Sequence, residues 1–198
     1  MSRIFNPRHR FIFLLLVVFN ILPPGMAEAQ RPAPPAVTSP VEQLDRLFAA
    51  LGTAATEAEG RTLEADIWKL WSYTRDADIG LLMRRAQVFA SSGQMDASLG
   101  VIDKVVALSP RFVEGWNRRA TVLYLMGRYD ESIADIGKVL ALEPRHFGAL
   151  AGLGMIHLQR QNWKGALEAF LRATKVHPWL KERHLISALE QKVKGRAL

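Results

Sequence analysis

Five histidines, the side chains best suited to proton transfer and metal binding at neutral pH, are spread along the 198-residue chain. Two of them, His177 and His184, lie seven residues apart, and they would share one face only in a continuous helix. Pro178 opposes such a helix because proline cannot donate to the preceding turn. A metal site needs several convergent ligands. The spacing therefore gives no support for a metal centre, and we expect no cofactor.

Other patterns that carry catalysis are missing from the sequence. The chain has no cysteine, which excludes a thiolate nucleophile, a thiolate metal site and a disulfide framework. No H-E-x-x-H, G-x-S-x-G or glycine-rich phosphate loop occurs. The carboxylates that come closest to a pair lie on predicted exposed helix faces, where acids normally pair with neighbouring bases: Asp130, Glu131, Glu182 and Glu190. We therefore predict a protein without enzymatic activity.

Arg84 and Arg118 lie 34 residues apart and are candidates for binding an anionic ligand. Guanidinium groups donate paired hydrogen bonds to carboxylates, so the two side chains could hold a carboxylate or an extended acidic peptide. The alternative is that they pair with neighbouring acids such as Glu114, or only add solubility.

The same spacing belongs to a repeat that runs through the chain. Pro110, Pro144 and Pro178 are 34 residues apart, and the rows 79–112, 113–146 and 147–180 align without insertions. Apolar residues recur in each row at the spacing of two helical faces. Small residues recur at the eighth and twentieth positions, where two helices would cross: Ala86, Ala120 and Gly154, then Ser98, Ser132 and Ala166.

These rows resemble the tetratricopeptide repeat, and the middle row, VEGWNRRATVLYLMGRYDESIADIGKVLALEPRH, comes closest to its pattern. The resemblance implies an all-α fold, a right-handed superhelix of antiparallel helix pairs that forms an α-solenoid. Gly93 and Gly127 fall at the turns between paired helices, where a positive φ is useful. Arg85 and Arg119 depart from the pattern, which usually has leucine there. We expect their stems to pack and their charged ends to reach solvent.

Both flanks of the repeats are also predicted to be helical. Residues 41–78 contain two apolar helical faces but lack the repeat's proline and the small twentieth residue, so they form an N-terminal helical pair that is either a divergent repeat or a cap. Residues 181–198 predict an amphipathic C-terminal capping helix with a basic tail, because a stack of repeats must shield its last apolar surface.

The N-terminus has the three-part pattern of a secretory signal peptide over residues 1–29. Basic residues precede the apolar run 11–22, and Ala27 and Ala29 form an A-x-A cleavage site. A helix over that run spans about 18 Å, against about 30 Å for a bilayer core, which favours cleavage over an uncleaved anchor. Residues 30–40 hold four prolines and predict an extended linker.

The net charge gives little support for nucleic-acid binding. Removal of residues 1–29 takes three arginines and one glutamate with it, so the charge of +7 falls to +5 and is scattered over the helices. We predict an exported protein in the periplasm of a Gram-negative cell, and the alternative is an inner-membrane anchored one.

The resemblance also implies where partners bind, because the first helix of each pair lines the concave side of the superhelix. The residues that project there form the predicted groove: Met83, Arg84, Gln87, Asn117, Arg118, Thr121, Tyr124 and Met155. We predict a protein-interaction module or scaffold of the bacterial cell envelope that binds a protein or peptide, as a monomer or small homo-oligomer. The alternative is an assembly subunit held in the membrane by an uncleaved N-terminal segment.

Some family members grip the C-terminal carboxylate of chaperones with lysine and asparagine residues. Of the corresponding positions here, Arg118 alone could serve, since the others are Met83, Gln87, Gly148 and Gly152. That speciality is therefore not expected of this chain.

Overall fold

The computed structural model describes residues 39–195. Over that range the chain forms nine α-helices and one 3-10 helix, Lys181–Leu185, and no strand. The predicted signal peptide 1–29, most of the linker 30–40 and the last three residues lie outside the described residues. The helices are α1 Pro40–Thr53, α2 Glu57–Ser72, α3 Ala77–Ser91, α4 Met95–Leu108, α5 Val113–Leu125, α6 Tyr129–Leu142, α7 Phe147–Gln159, α8 Trp163–Val176 and α9 Ile186–Lys194.

Helices α3 to α8 form three pairs, α3–α4, α5–α6 and α7–α8, and the second helix of each pair packs on the helix that follows it. The turns inside the pairs need left-handed backbone, and Gly93 and Gly127 supply it with φ of 78° and 74°. In the third pair Gln161 takes the same role with φ of 53°. The predicted all-α solenoid of stacked helix pairs is confirmed.

Small residues let the two helices of a pair cross closely, as the sequence predicts. The buried hydroxyl of Ser98 donates to the Ala86 carbonyl at 2.8 Å, and that of Ser132 donates to the Ala120 carbonyl at 2.7 Å. In the third pair Gly154 plays this part, because a Cβ at this residue would lie 2.6 Å from the Phe170 ring. Each crossing is thus set by a residue too small to keep the helices apart.

We expect Gly154→Ala to lower the free energy of unfolding by roughly 1 kcal/mol, since overpacking costs about 1–3 kcal/mol and helix propensity returns about 1 kcal/mol. The matched control is Gly137→Ala on α6, where a Cβ meets nothing within 4 Å and should raise stability. Urea unfolding of both variants measures the difference. A Gly154→Ala variant as stable as the control would contradict the close crossing.

The N-terminal pair, α1–α2, packs mainly against the last helix pair and the C-terminal segment rather than against α3. Phe48, Ile67 and Trp71 share one buried core with Phe147, Phe170, Leu180 and Leu189. Polar contacts span the same junction: Arg145 pairs with Asp45 at 2.7 Å, Arg183 pairs with Glu57 at 3.1 Å, and Trp179 Nε1 donates to the Ala54 carbonyl at 2.9 Å. The sequence places this pair beside the first row, whereas its main contacts are with the last.

The C-terminal segment closes the apolar end of the last pair, but in two pieces rather than one helix. The 3-10 helix Lys181–Leu185 precedes α9, and both pack on α8. Leu189 of α9 is buried there, as is Leu180, which directly precedes the 3-10 helix. None of the helices between residues 39 and 195 has the length and apolar character required to cross a bilayer.

Candidate functional site

The concave side of the helix pairs carries a row of three cavities, which we call the groove. The first, about 200 Å³, lies between α3 and α5. The second, about 410 Å³, lies between α3, α5 and the end of α2. The third, about 120 Å³, lies between α5 and α7. The groove is therefore built from the first helix of every pair, with α2 as one rim.

The structure brings all eight predicted groove residues to these cavities. On α3 they are Met83, Arg84 and Gln87; on α5 they are Asn117, Arg118, Thr121 and Tyr124; on α7 it is Met155. Their exposure differs. Arg84, Gln87 and Thr121 are exposed, whereas Asn117 is buried. An incoming partner can reach the exposed three directly.

A polar cluster centred on Glu114 forms the floor of the second cavity. Glu114 is buried, and its carboxylate accepts from Arg118 Nε and from Asn117 Nδ2, each at 2.9 Å. His146 Nε2 lies 3.8 Å from the same carboxylate. Arg118 also donates to the Gln87 side-chain oxygen. Glu114 thus holds Arg118 and Asn117 in place. For Arg118 this is the alternative given in the sequence analysis, pairing with a neighbouring acid.

Arg84 differs from Arg118 in its electrostatic surroundings. It is exposed at the second cavity, and no carboxylate of residues 39–195 lies within ion-pair distance of it. Tyr73 and Thr74, at the end of α2, stand on the same cavity rim. The second cavity therefore presents the Arg84 guanidinium without a neighbouring carboxylate from the described residues, close to the hydroxyl-bearing residues Tyr73 and Thr74.

The sequence predicts that the charged end of Arg119 reaches solvent, but the structure pairs it with two carboxylates and leaves the side chain only 22% exposed. Its guanidinium joins two successive second helices, pairing with Asp103 of α4 at 2.6 Å and with the buried Asp135 of α6 at 2.9 Å. Burial raises the pKa of Asp135, and Arg119 opposes that rise. Burial would lower the pKa of Arg119, but the hydrogen bond that Arg119 donates to Asp103 and the charges of Asp103 and Asp135 raise this pKa overall. Arg119 acts inside the fold, away from the groove.

Two histidines at the row ends are fully buried at the contact with the N-terminal pair. His146 Nδ1 accepts from the Ala149 amide at 3.1 Å and so begins α7, and its ring stacks on Trp71 at 3.9 Å. His177 Nε2 lies 3.2 Å from Glu64, and this hydrogen bond lowers the pKa of the Glu64 carboxyl. Within the described range no group of three or more histidine or acidic side chains could hold a metal ion.

Sequence reasoning missed the part that α2 takes in the concave side. A Cβ on Gly148, in the first turn of α7, would lie 2.7 Å from the Trp68 indole. Gly148 also lines the third cavity. Trp68 therefore covers the concave face at the third pair. One feature of the sequence could have indicated this role: α2 has an apolar face, but its row lacks the proline and the small residue that a stacking repeat has.

The fold is that of a helical-repeat protein whose helix pairs line a groove of three cavities. The tetratricopeptide repeat family matches residues 117–178. A TPR repeat-containing protein of Rhizobium etli is 36% identical over 143 residues, which cover 72% of this chain and 70% of that protein. The chain belongs to the tetratricopeptide-repeat family.

Solved structures with the same fold are distant in sequence. The first TPR domain of Spaghetti (RPAP3), bound to an HSP90 peptide, superposes with a TM-score of 0.56 at 15% identity, covering 59% of this chain and 93% of that domain. A double mutant of MamA RS-1 superposes with a TM-score of 0.53 at 17% identity, covering 79% of this chain and 86% of that one. These likenesses support the fold.

Proposed function

We propose that this protein is a non-enzymatic interaction module that holds a protein or peptide in the groove between α3, α5 and α7. The observation that carries the proposal is the convergence of eight sequence-predicted residues on three adjoining cavities. A structural relative, the first TPR domain of Spaghetti, has an HSP90 peptide bound, which supports peptide binding by this fold.

The groove favours an extended segment with at least one anionic group. Three cavities in a row fit an extended peptide segment better than a compact ligand. The cavities are lined by both apolar side chains and exposed polar side chains. Arg84 supplies the unneutralised charge, whereas Arg118 already serves Glu114. We expect binding to weaken as salt rises, because an exposed charge contact is screened.

The proposed setting is the bacterial cell envelope, and the N-terminal residue pattern supports it. If residues 1–29 are removed, the protein works as an exported module in the periplasm. If they stay, the apolar run 11–22 anchors it as an assembly subunit at the inner membrane. Mass measurement of the protein purified from cells separates the two, since loss of residues 1–29 excludes the anchor.

We expect Thr121→Trp to abolish partner binding. Thr121 is exposed and lines the first and third cavities, so a tryptophan at this position would fill both cavities and exclude a ligand. The measurement is affinity capture from envelope extract, followed by titration with the partner recovered. Stability should change little, since the Thr121 hydroxyl bonds only to the Asn117 carbonyl of its own helix.

Lys138→Trp, on an exposed face of α6, is the matched control and should recover the partner in full yield. The double variant Asn117→Ala with Tyr124→Ala tests the same surface by removal, although Asn117 also serves Glu114. Equal yield from Thr121→Trp and Lys138→Trp would exclude the groove as the binding surface.

A further inference from the structure

The α1–α2 pair has the features of a ligand bound to the last helix pair. Trp68 meets Phe147 edge-on at 5.6 Å and fits against the bare backbone of Gly148, while Trp71 stacks on His146. Two aromatic side chains three residues apart on one helix thus fill a surface that faces the groove. This is how an amphipathic helix binds a groove in a complex of two chains.

The pair is attached to the rest of the described chain mainly through this surface. Beyond its partner α1, α2 contacts α5 and the last helices, and it shares no substantial interface with α3, the next helix in sequence. The connection at residues 73–76 is short, and Tyr73 within it is 61% exposed. The pair can therefore leave as a unit about this connection without unpacking α3.

The interface is apolar at its centre, and its ion pairs lie at its exposed edge. Three buried nitrogens concentrated in it, Trp71 Nε1, His146 Nε2 and His177 Nδ1, have no hydrogen-bond partner among the described residues. The ion pairs at its edge, Arg145–Asp45 and Arg183–Glu57, are exposed, and exposed pairs contribute little. The attachment of the pair therefore rests on apolar packing, to which the ion pairs add little.

We propose that the concave face at the start of α7 is a second ligand surface, specific for an amphipathic helix with an aromatic residue against Gly148, and that α2 occupies it reversibly in cis. This rests on the proposed function, because it makes α2 a competitor for the α7 end of the groove. A partner helix that displaces α2 gains both the third cavity and the surface beneath Trp68.

The polar cluster links this surface to the rest of the groove. Glu114 holds Arg118 on one side and faces His146 on the other, and His146 stacks on Trp71 of α2. A ligand that draws Arg118 away from Glu114 alters the charge facing His146 and hence the contact with α2. Groove occupancy and release of the pair are therefore coupled.

The first experiment uses the full-length chain with Gly148→Ala, and Gly152→Ala as the control. At position 148 the new Cβ collides with Trp68, whereas at position 152 the closest atom, Ile136 Cδ1, is 3.8 Å away. Alanine suits both helical sites. We expect amide hydrogen exchange in α2 to rise about tenfold or more in Gly148→Ala, with α5 and α6 unchanged in both variants. Unchanged exchange in α2 would overturn the proposal.

The second experiment tests the surface in trans with a labelled synthetic peptide of residues 57–72. We expect saturable binding to the full-length Trp68→Ala variant, about tenfold or more weaker binding to the wild type, and none to the double variant Trp68→Ala with Gly148→Ala. Lys69→Ala, on the exposed side of α2, should behave as the wild type. Equal binding to wild type and Trp68→Ala, or no binding to either, would overturn reversible occupancy.

The two proposals fail separately. If Thr121→Trp loses the partner while α2 exchange is the same in Gly148→Ala and wild type, the groove stands and the competition does not. If α2 opens in Gly148→Ala and the peptide binds, but Thr121→Trp recovers the partner in full, the proposal of the second ligand surface is kept. The proposal that the partner binds in the groove is then rejected.

Discussion

Arg119→Met should lower the free energy of unfolding by about 3 kcal/mol, because it leaves Asp135 buried without its cation. Asp135 is 3% exposed and cannot turn to water, whereas the second partner, Asp103, is about half exposed and can. Methionine keeps the volume of the arginine stem, so the loss reports the charge rather than a cavity. Chemical unfolding monitored by circular dichroism gives the value.

The sign of the pH dependence offers a separate check on the same residue. A buried carboxyl whose pKa lies above its unfolded value binds more protons in the folded state, so its cost grows as pH rises. In Arg119→Met the pKa of Asp135 should rise further, because the opposing cation is gone. The loss of stability in Arg119→Met should therefore be largest at neutral pH. It should shrink as the pH falls toward 3.8, the ordinary pKa of an aspartate.

Two variants control the interpretation of Arg119→Met. Asp103→Asn, at the exposed end of the bridge, should cost less than about 1 kcal/mol. Replacing both ends, Arg119→Met with Asp135→Leu, should recover most of the loss, since an apolar pair fills the site without a buried charge. A double variant as unstable as the single one would show that the ion pair is not the cause.

Phe147→Ala should cost about 4 kcal/mol, within the range of about 3–5 kcal/mol for truncating a buried phenylalanine. Phe147 is 1% exposed and contacts Trp68, Trp71 and His177 with ring centres 5.0–5.6 Å apart. It therefore supports the last helix pair and the N-terminal pair at once. We expect amides of α1 and α2 to lose protection before those of α5 and α6.

The matched control for Phe147→Ala is Val113→Ala, the equivalent first residue of α5. Val113 is half-buried and packs in a cluster that contains no residue of α1 or α2. We therefore expect Val113→Ala to lower the free energy of unfolding by about 1 kcal/mol. Urea unfolding compares the two, and hydrogen exchange localises the effect. A loss at Phe147 no larger than that at Val113, or one confined to α7 and α8, would contradict the joint role.

The helix pairs could be predicted from sequence because their determinants are local and periodic. Gly93 and Gly127 indicated the turns, Ser98 and Ser132 indicated the crossings, and a fixed period placed the groove residues on successive first helices. A repeat of this kind specifies contacts between neighbours only. That is why the repeat pattern, together with its resemblance to the tetratricopeptide repeat, was enough to place Met83 and Thr121 at the cavities.

The remaining features depend on contacts that no period reports. Arg119 departs from the repeat, and its two acids lie sixteen residues away on either side, which the pattern did not connect to it. Trp68 shows an apolar helical face, but nothing in the sequence states that Gly148 is its partner. Likewise, Asn117 and Glu114 are three residues apart on α5, yet their burial depends on the helix that packs over them.

The packing of α1–α2 on the last helix pair has a consequence for the order of events during synthesis. Ala54 and Trp179 are hydrogen-bonded across 125 residues, and Glu57 and Arg183 across 126. At about 5–20 residues per second, α2 leaves the ribosome on the order of ten seconds before its docking surface exists. During that interval Trp68 lacks Phe147 and Gly148, and Trp71 can pack only on Phe48 of α1 and on Trp68. The earliest part of the fold to be made is therefore the last to be completed.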